Sequence, residues 1–120
     1  MAHAYVFGLL SARCSGQARK TWNALLRAQE VDGFFDFYPT VTVRDLELRL
    51  AEMFHLGRRA YILSAPLKPL VRPLLDRIDA SAEKSGDIDT VINEGGVLVG
   101  YSLGGLEPPE QLACWIRQST

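Results

Sequence analysis

Apolar and polar positions alternate along the chain in two distinct rhythms. Residues 4–10, AYVFGLL, form an unbroken apolar run, as expected of a strand buried on both faces. The polar stretch SARCSG follows and reads as a loop. From Gln17 to Glu30 the rhythm changes: Trp22, Leu25, Leu26 and Gln29 recur at helical spacing, and Val31-Asp-Gly33 closes that helix. Phe34–Tyr38 is predicted as a second strand, ended by Pro39. Thr42 is placed to cap a helix with an apolar stripe of Val43, Leu46, Leu50, Met53 and Phe54, and Gly57 to stop it. Ala60–Ser64 reads as a third strand. A proline-rich helix carrying Leu70, Leu74, Leu75 and Ile78 is expected next. Pro66 and Pro69 suit its entry, and Pro73 either kinks it or splits it into two short helices.

This alternation predicts right-handed parallel crossovers and an α/β sheet. The following segment breaks it. Asp89–Ile92, then Asn-Glu-Gly-Gly, then Val97–Gly100 reads as two strands joined by a tight turn, so one strand runs antiparallel in a mixed sheet. Pro108 and Pro109 open an expected last helix, Glu110–Gln118, with Leu112, Trp115 and Ile116 on one face. The expectation is one domain over residues 1–120: an α/β three-layer sandwich whose mixed, mostly parallel sheet is flanked by helices.

Composition narrows the function classes. The 120 residues are 48% hydrophobic and 22% charged, with a net charge of -1, ordinary for a globular domain. Nucleic acid and anionic membrane surfaces are not expected as partners, because both select a basic excess. Nothing in the sequence reads as a membrane span or a signal peptide, so a cytoplasmic location is expected. Cys14 and Cys114 form neither a disulfide framework nor a metal knuckle, and His3 and His55 stand too far apart to suggest a metal site. Cys14 reads as an activated thiol or as a tolerated replacement of serine. Cys114 reads as packing. Arg58-Arg59 reads as an anion contact or as a solvated helix end. Phe34, Phe35, Phe37 and Tyr38 read as an aromatic platform or as a strand packed on both sides.

The chemistry concentrates in YILSAPLKPLVRP, residues 61–73. A buried strand hands over to a helix there, and Lys68 stands at the junction. That junction lies at the C-terminal edge of a parallel sheet, where open α/β sheets bind ligands. Partial burial would tune a lysine toward acid–base work. The alternative is a solvated lysine in the first turn of an ordinary helix.

The order and spacing of YVFG, ILSAPLK and GDIDTVINEGGVLVGYSLGG resemble the substrate-binding domain of shikimate dehydrogenases across residues 4–105. That family has a strand ending in glycine, a loop with a Ser-x-Ser-Pro core, and a third strand leading into Asn-Val-Thr-Val/Ile-Pro-x-Lys. Ala-Val-Asn-Thr, a hairpin and Leu-x-Gly-x-Asn-Thr-Asp-Gly come later. The resemblance implies that Lys68 matches the catalytic lysine and that Ser64 stands at a substrate-touching threonine. Thr90 matches the threonine of Ala-Val-Asn-Thr, with Asp89 replacing its asparagine. Ser11 and Ser15 are candidates for carboxylate contacts in the first loop. Ser102-Leu103-Gly104-Gly105 replaces Asn-Thr-Asp-Gly, so Gly104 takes the place of the aspartate that pairs with the lysine. Asp89 is then either the substitute partner of Lys68 or a strand-start residue in a solvated turn. Gln111 or Gln118 with Trp115 echoes the family's C-terminal contact with substrate, or belongs to a plain closing helix.

The family's nucleotide domain has no counterpart in the sequence given. Gly95-Gly96 and Gly104-Gly105 are not followed by the strand–loop–helix unit that a dinucleotide requires. No cofactor and no metal are therefore expected. The expected function is a non-catalytic binding or regulatory module for a shikimate- or quinate-like hydroxy acid, with Ser11, Ser15, Ser64, Lys68, Asp89 and Ser102 lining the site. The alternative is the substrate-binding part of a split NADP-dependent dehydrogenase completed by a separate nucleotide-binding chain. A homodimer or a partner protein is expected to cover the face that the nucleotide domain covers in the family, unless Leu103, Leu106 and the apolar stripe of the last helix cover it within the chain.

Overall fold

The computed structural model describes residues 5–13 and 16–104. His3, Cys14, Ser15, Leu106, Gln111, Cys114, Trp115, Gln118 and the expected last helix lie outside the described residues.

The described strands are β1 (Tyr5–Ser11), β2 (Gly33–Pro39), β3 (Ala60–Leu63), β4 (Arg77–Ile78), β5 (Thr90–Glu94) and β6 (Val97–Tyr101). They form one sheet in the order β2-β1-β3-β5-β6-β4. β1 runs parallel to β2 and β3, β5 is antiparallel to both its neighbours, and β4 is parallel to β6. The mixed, mostly parallel sheet matches the sequence expectation. Its reversal is made by Gly95 and Gly96 at φ 65° and 96°. Both central residues of a type I′ hairpin turn need positive φ, which glycine supplies at least cost.

The helices are α1 (Gly16–Ala28), α2 (Val43–Leu56), α3 (Lys68–Val71) and α4 (Ala80–Ser85). They bury opposite faces of the sheet. Trp22 and Leu26 of α1 pack on Phe7, Leu9, Phe35 and Ile62. The Trp22 and Phe35 rings stack at 4.9 Å. On the other face, Leu46, Leu50 and Met53 of α2 join Leu67, Val71 and Ala82 over Leu10, Tyr61, Leu63 and Val91. α2 starts where predicted: Asp45 N–H donates to the Thr42 hydroxyl, and the Asp45 carboxylate accepts from the Thr42 N–H, a reciprocal cap.

Several expectations change. The stripe of α2 is narrower than predicted, since Val43 and Phe54 are exposed. α1 ends at Ala28, before Gln29. β2 is an edge strand, so Phe34 is exposed rather than packed on both sides. Leu103, expected to be available for covering an apolar face, is buried in the core on the α1 face. The proline-rich helix is only a four-residue α3 between the 3-10 turns Ala65–Leu67 and Arg72–Leu74. Pro69 and Pro73 remove the amides that a longer α-helix would use. Leu75 is extended, and Ile78 belongs to β4. β4 and α4 were not expected, because neither is long enough to show a hydrophobic period.

The free edge of β2 is closed from within. Asn23 on α1 donates its amide to Phe35 C=O at 2.9 Å and accepts from Phe35 N–H at 2.8 Å. The Asp36 carboxylate accepts from Phe37 N–H. These bonds occupy backbone groups that would otherwise template another strand. Asn23→Ala is expected to expose that edge and produce concentration-dependent self-association, read by light scattering.

The Asp45 and Asp79 carboxyls lie below the ordinary carboxylate value. For Asp45 the largest cause is the hydrogen bonds from the Thr42 and Val41 amides. For Asp79 burial pulls upward, and the bonds from the Ser81 amide and hydroxyl and the Ala80 amide outweigh it. A depressed carboxyl stabilises the fold above its unfolded value, and that stability is lost as pH falls through its folded value. Melting temperature should fall below about pH 4. The fall should be shallower in Asp45→Asn/Asp79→Asn.

Candidate functional site

The ladders continue one residue past the strands and so fix the edge. Ser64 N–H donates to Leu10 C=O, Leu63 N–H to Asp89 C=O, and Asp89 N–H to Tyr101 C=O. Ser11 therefore ends β1 beside Ser64 at the end of β3. Asp89 stands at the start of β5 and Ser102 just past the end of β6. The antiparallel β5 places its N-terminal residue among the C-terminal ends of its neighbours. Four of the six sequence-predicted positions share this edge. Lys68 follows Ser64 by one helical turn, and Ser15 lies outside the described residues.

Asp89 is not in a solvated turn. It is 4% exposed, and its carboxylate accepts three hydrogen bonds. Thr90 Oγ1 donates at 2.8 Å, Leu103 N–H at 3.0 Å and Gly104 N–H at 3.0 Å. A buried carboxylate needs such donors, since an unpaired one costs several kcal/mol. The result straps the segment after β6 to the start of β5.

Ser102 is held beside this strap. Its N–H donates to the Ser81 hydroxyl at 3.0 Å, and Ser81 is bonded in turn to the Asp79 carboxylate that caps α4. Ser64 begins the 3-10 turn without a side-chain capping bond. The Ser11 hydroxyl accepts from Arg13 N–H at 3.3 Å.

Lys68 does not pair with Asp89. Its Nζ lies 3.4 Å from Asp87 Oδ2, with the lysine side chain 30% exposed and the aspartate 51%. This corrects the choice of Asp89 as substitute acid partner, whose oxygens are taken up by backbone amides and a hydroxyl. The pair borders a hollow of about 340 Å³ lined by Ala65, Lys68, Pro69, Arg72, Asp87 and Ile88. Sequence reasoning missed Asp87, Asp79 and Ser81. Asp87 had one visible signal, its place two residues before Asp89 in the stretch that leads into β5. A second hollow, of about 410 Å³, lies between α2 and the hairpin turn, away from this edge.

The described part is an α/β domain with a polar sheet edge of the ligand-binding kind. No protein-family model matches the chain. The NADP(+)-dependent shikimate dehydrogenase of Geobacter metallireducens is 36% identical over 83 residues, 69% of this chain and 29% of that protein. That of Bacillus licheniformis is 36% identical over 83 residues, 69% of this chain and 30% of that protein. The solved structure of a shikimate 5-dehydrogenase-like protein superposes with a TM-score of 0.71 at 27% identity, covering 81% of this chain and 35% of that one. The Listeria monocytogenes shikimate 5-dehydrogenase, solved with shikimate and NAD, shares the fold with a TM-score of 0.73 at 22% identity, over 84% of this chain and 35% of that one. In sequence and fold together the chain is shikimate dehydrogenase-like, with the architecture of that family's substrate-binding domain. It spans under a third of the length of these two curated relatives.

Asp89→Ala strands two backbone amides and frees the Ser102–Gly104 segment. It is expected to cost roughly 2–4 kcal/mol, on the order of 10 °C in Tm. Lys68→Ala should leave Tm nearly unchanged. Differential scanning fluorimetry of both variants checks the contrast.

Proposed function

We propose that this domain binds a small hydroxy acid of the shikimate or quinate type at the sheet edge, as a non-catalytic binding or regulatory module. The observation that carries the reading is the convergence of Ser11, Ser64, Asp89 and Ser102 at one edge, with Lys68 one turn beyond. Serine hydroxyls match ring hydroxyls and a carboxylate as donors and acceptors, and Lys68 adds a cation. The sequence similarity to shikimate dehydrogenases supports the ligand class. The non-catalytic part rests on Gly104 in place of the motif's aspartate and on the Asp89 carboxylate being buried and bonded to Thr90, Leu103 and Gly104. A cytoplasmic setting belongs to the same proposal.

A second reading is favoured by one observation, the small share of each curated relative that the chain covers. In it the domain supplies the substrate-binding part of an NADP-dependent dehydrogenase, and nucleotide binding comes from another unit.

Shikimate or quinate at millimolar concentration should raise Tm by several degrees, as expected of a ligand that binds only the folded state. NADP alone should not. Lys68→Ala should weaken the binding at least tenfold, the loss of one charge-assisted contact. Flat melting curves with both acids, or undiminished affinity in Lys68→Ala, would refute the binding reading. Shikimate-dependent NADP reduction that appears only when a separate nucleotide-binding chain is added, and is abolished by Lys68→Ala, would select the second one.

A further inference from the structure

Tyr38 and Tyr61 meet over β1. Gly8 stands beside Tyr61 in the β1–β3 ladder, and the Tyr38 ring lies in the room that Gly8 leaves: a Cβ there would stand 2.3 Å from it. The two rings come within 5.4 Å. Two guanidinium groups gather on the same tyrosine, Arg49 at 5.6 Å and Arg58 at 5.7 Å from the centre of the Tyr38 ring. Arg49 is committed: it bonds the Glu52 carboxylate at 3.1 Å and donates to Pro39 C=O. Arg58 is not. Among the described residues no carboxylate pairs with its guanidinium. The carboxylates whose charge reaches Tyr38, Glu52 and Asp36, are paired with Arg49 and Arg19. The Arg58 Nε is buried without a hydrogen-bond partner, and so is the hydroxyl of Tyr61, a residue that is 0% exposed.

A buried donor without an acceptor is costly, and an uncompensated cation beside it calls for negative charge. Burial raises both tyrosine hydroxyls above the ordinary value, so they stay protonated and able to donate. What these groups lack in common is an acceptor that carries negative charge. The planar fork of arginine matches the oxygens of a phosphate or a carboxylate. We infer that Tyr38, Arg49 and Arg58 form a site for a small oxyanion, with Tyr61 as its innermost donor. The Arg58 side chain, partly buried and without a carboxylate to pin it, is the part that turns to admit the anion. Arg58 precedes β3, whereas Ser64 follows it. The site therefore lies at the other end of that strand from the serine edge, and it stands independently of the hydroxy-acid reading.

The probe is inorganic phosphate, titrated at constant ionic strength while the Tyr38 and Tyr61 ring signals are followed by two-dimensional NMR. Wild type should give saturable shifts of both rings. Arg58→Gln should weaken phosphate roughly tenfold, the loss of one charge-assisted contact. Arg58→Lys keeps the charge without the planar fork and should fall between the two. Tyr61→Phe should weaken binding roughly threefold. It should also raise the melting temperature measured without phosphate, since it removes a hydroxyl that has no partner in the fold. Glycerol 3-phosphate in place of inorganic phosphate tells whether the site takes a phosphate ester as well as the free ion, and saturable binding of either supports the site. Shifts that never saturate with either anion, or an Arg58→Gln protein that binds as tightly as wild type, overturn it. A Tyr61→Phe protein that binds phosphate as tightly as wild type overturns the part given to Tyr61.

Discussion

The buried carboxylate of Asp89 is the constraint from which the polar edge of the sheet follows. Desolvation forces it to find donors, and it finds them in its neighbour's hydroxyl and in the two backbone amides that follow β6. The chain leaving the sheet is thereby tied to the strand entering it. Ser102 is held on that tie, between the strap and the cap of α4. A carboxylate buried and bonded in this way does not meet the lysine, and the Lys68 ammonium lies beside Asp87 instead.

The reversal of β5 gives that carboxylate its place. In an all-parallel sheet, the edge that binds ligands holds only C-terminal strand ends. One antiparallel strand between β3 and β6 adds an N-terminal end to the same edge. Prolines then shorten the helix after β3, so that Lys68 opens α3 one turn from Ser64.

Gly104 completes the strap. It sits at φ 88°, a conformation that a residue with a side chain rarely adopts. Its backbone amide donates to the Asp89 carboxylate, so the turn that follows β6 is fixed by the chain's own backbone. The similarity to shikimate dehydrogenases covers the architecture.

By itself the sequence determined the elements that have long periods or strong punctuation. The apolar run of β1, the capped α2 between Thr42 and Gly57, and the glycine hairpin were legible because each is decided by residues close in the chain. It also determined that Ser11, Ser64, Lys68, Asp89 and Ser102 merited attention, through motif order. Only the tertiary structure decided which of these share an edge, that Asp89 is buried and that Asp87 faces Lys68. Local pattern cannot separate two aspartates two residues apart. What separates them is which one meets the amides of a segment fourteen and fifteen residues further on, a contact set by strand register. The split at Pro73 was open in the sequence, but β4 and the extended Leu75 escaped for the converse reason: they are too short for a period, and packing against β6 and the core fixes their form.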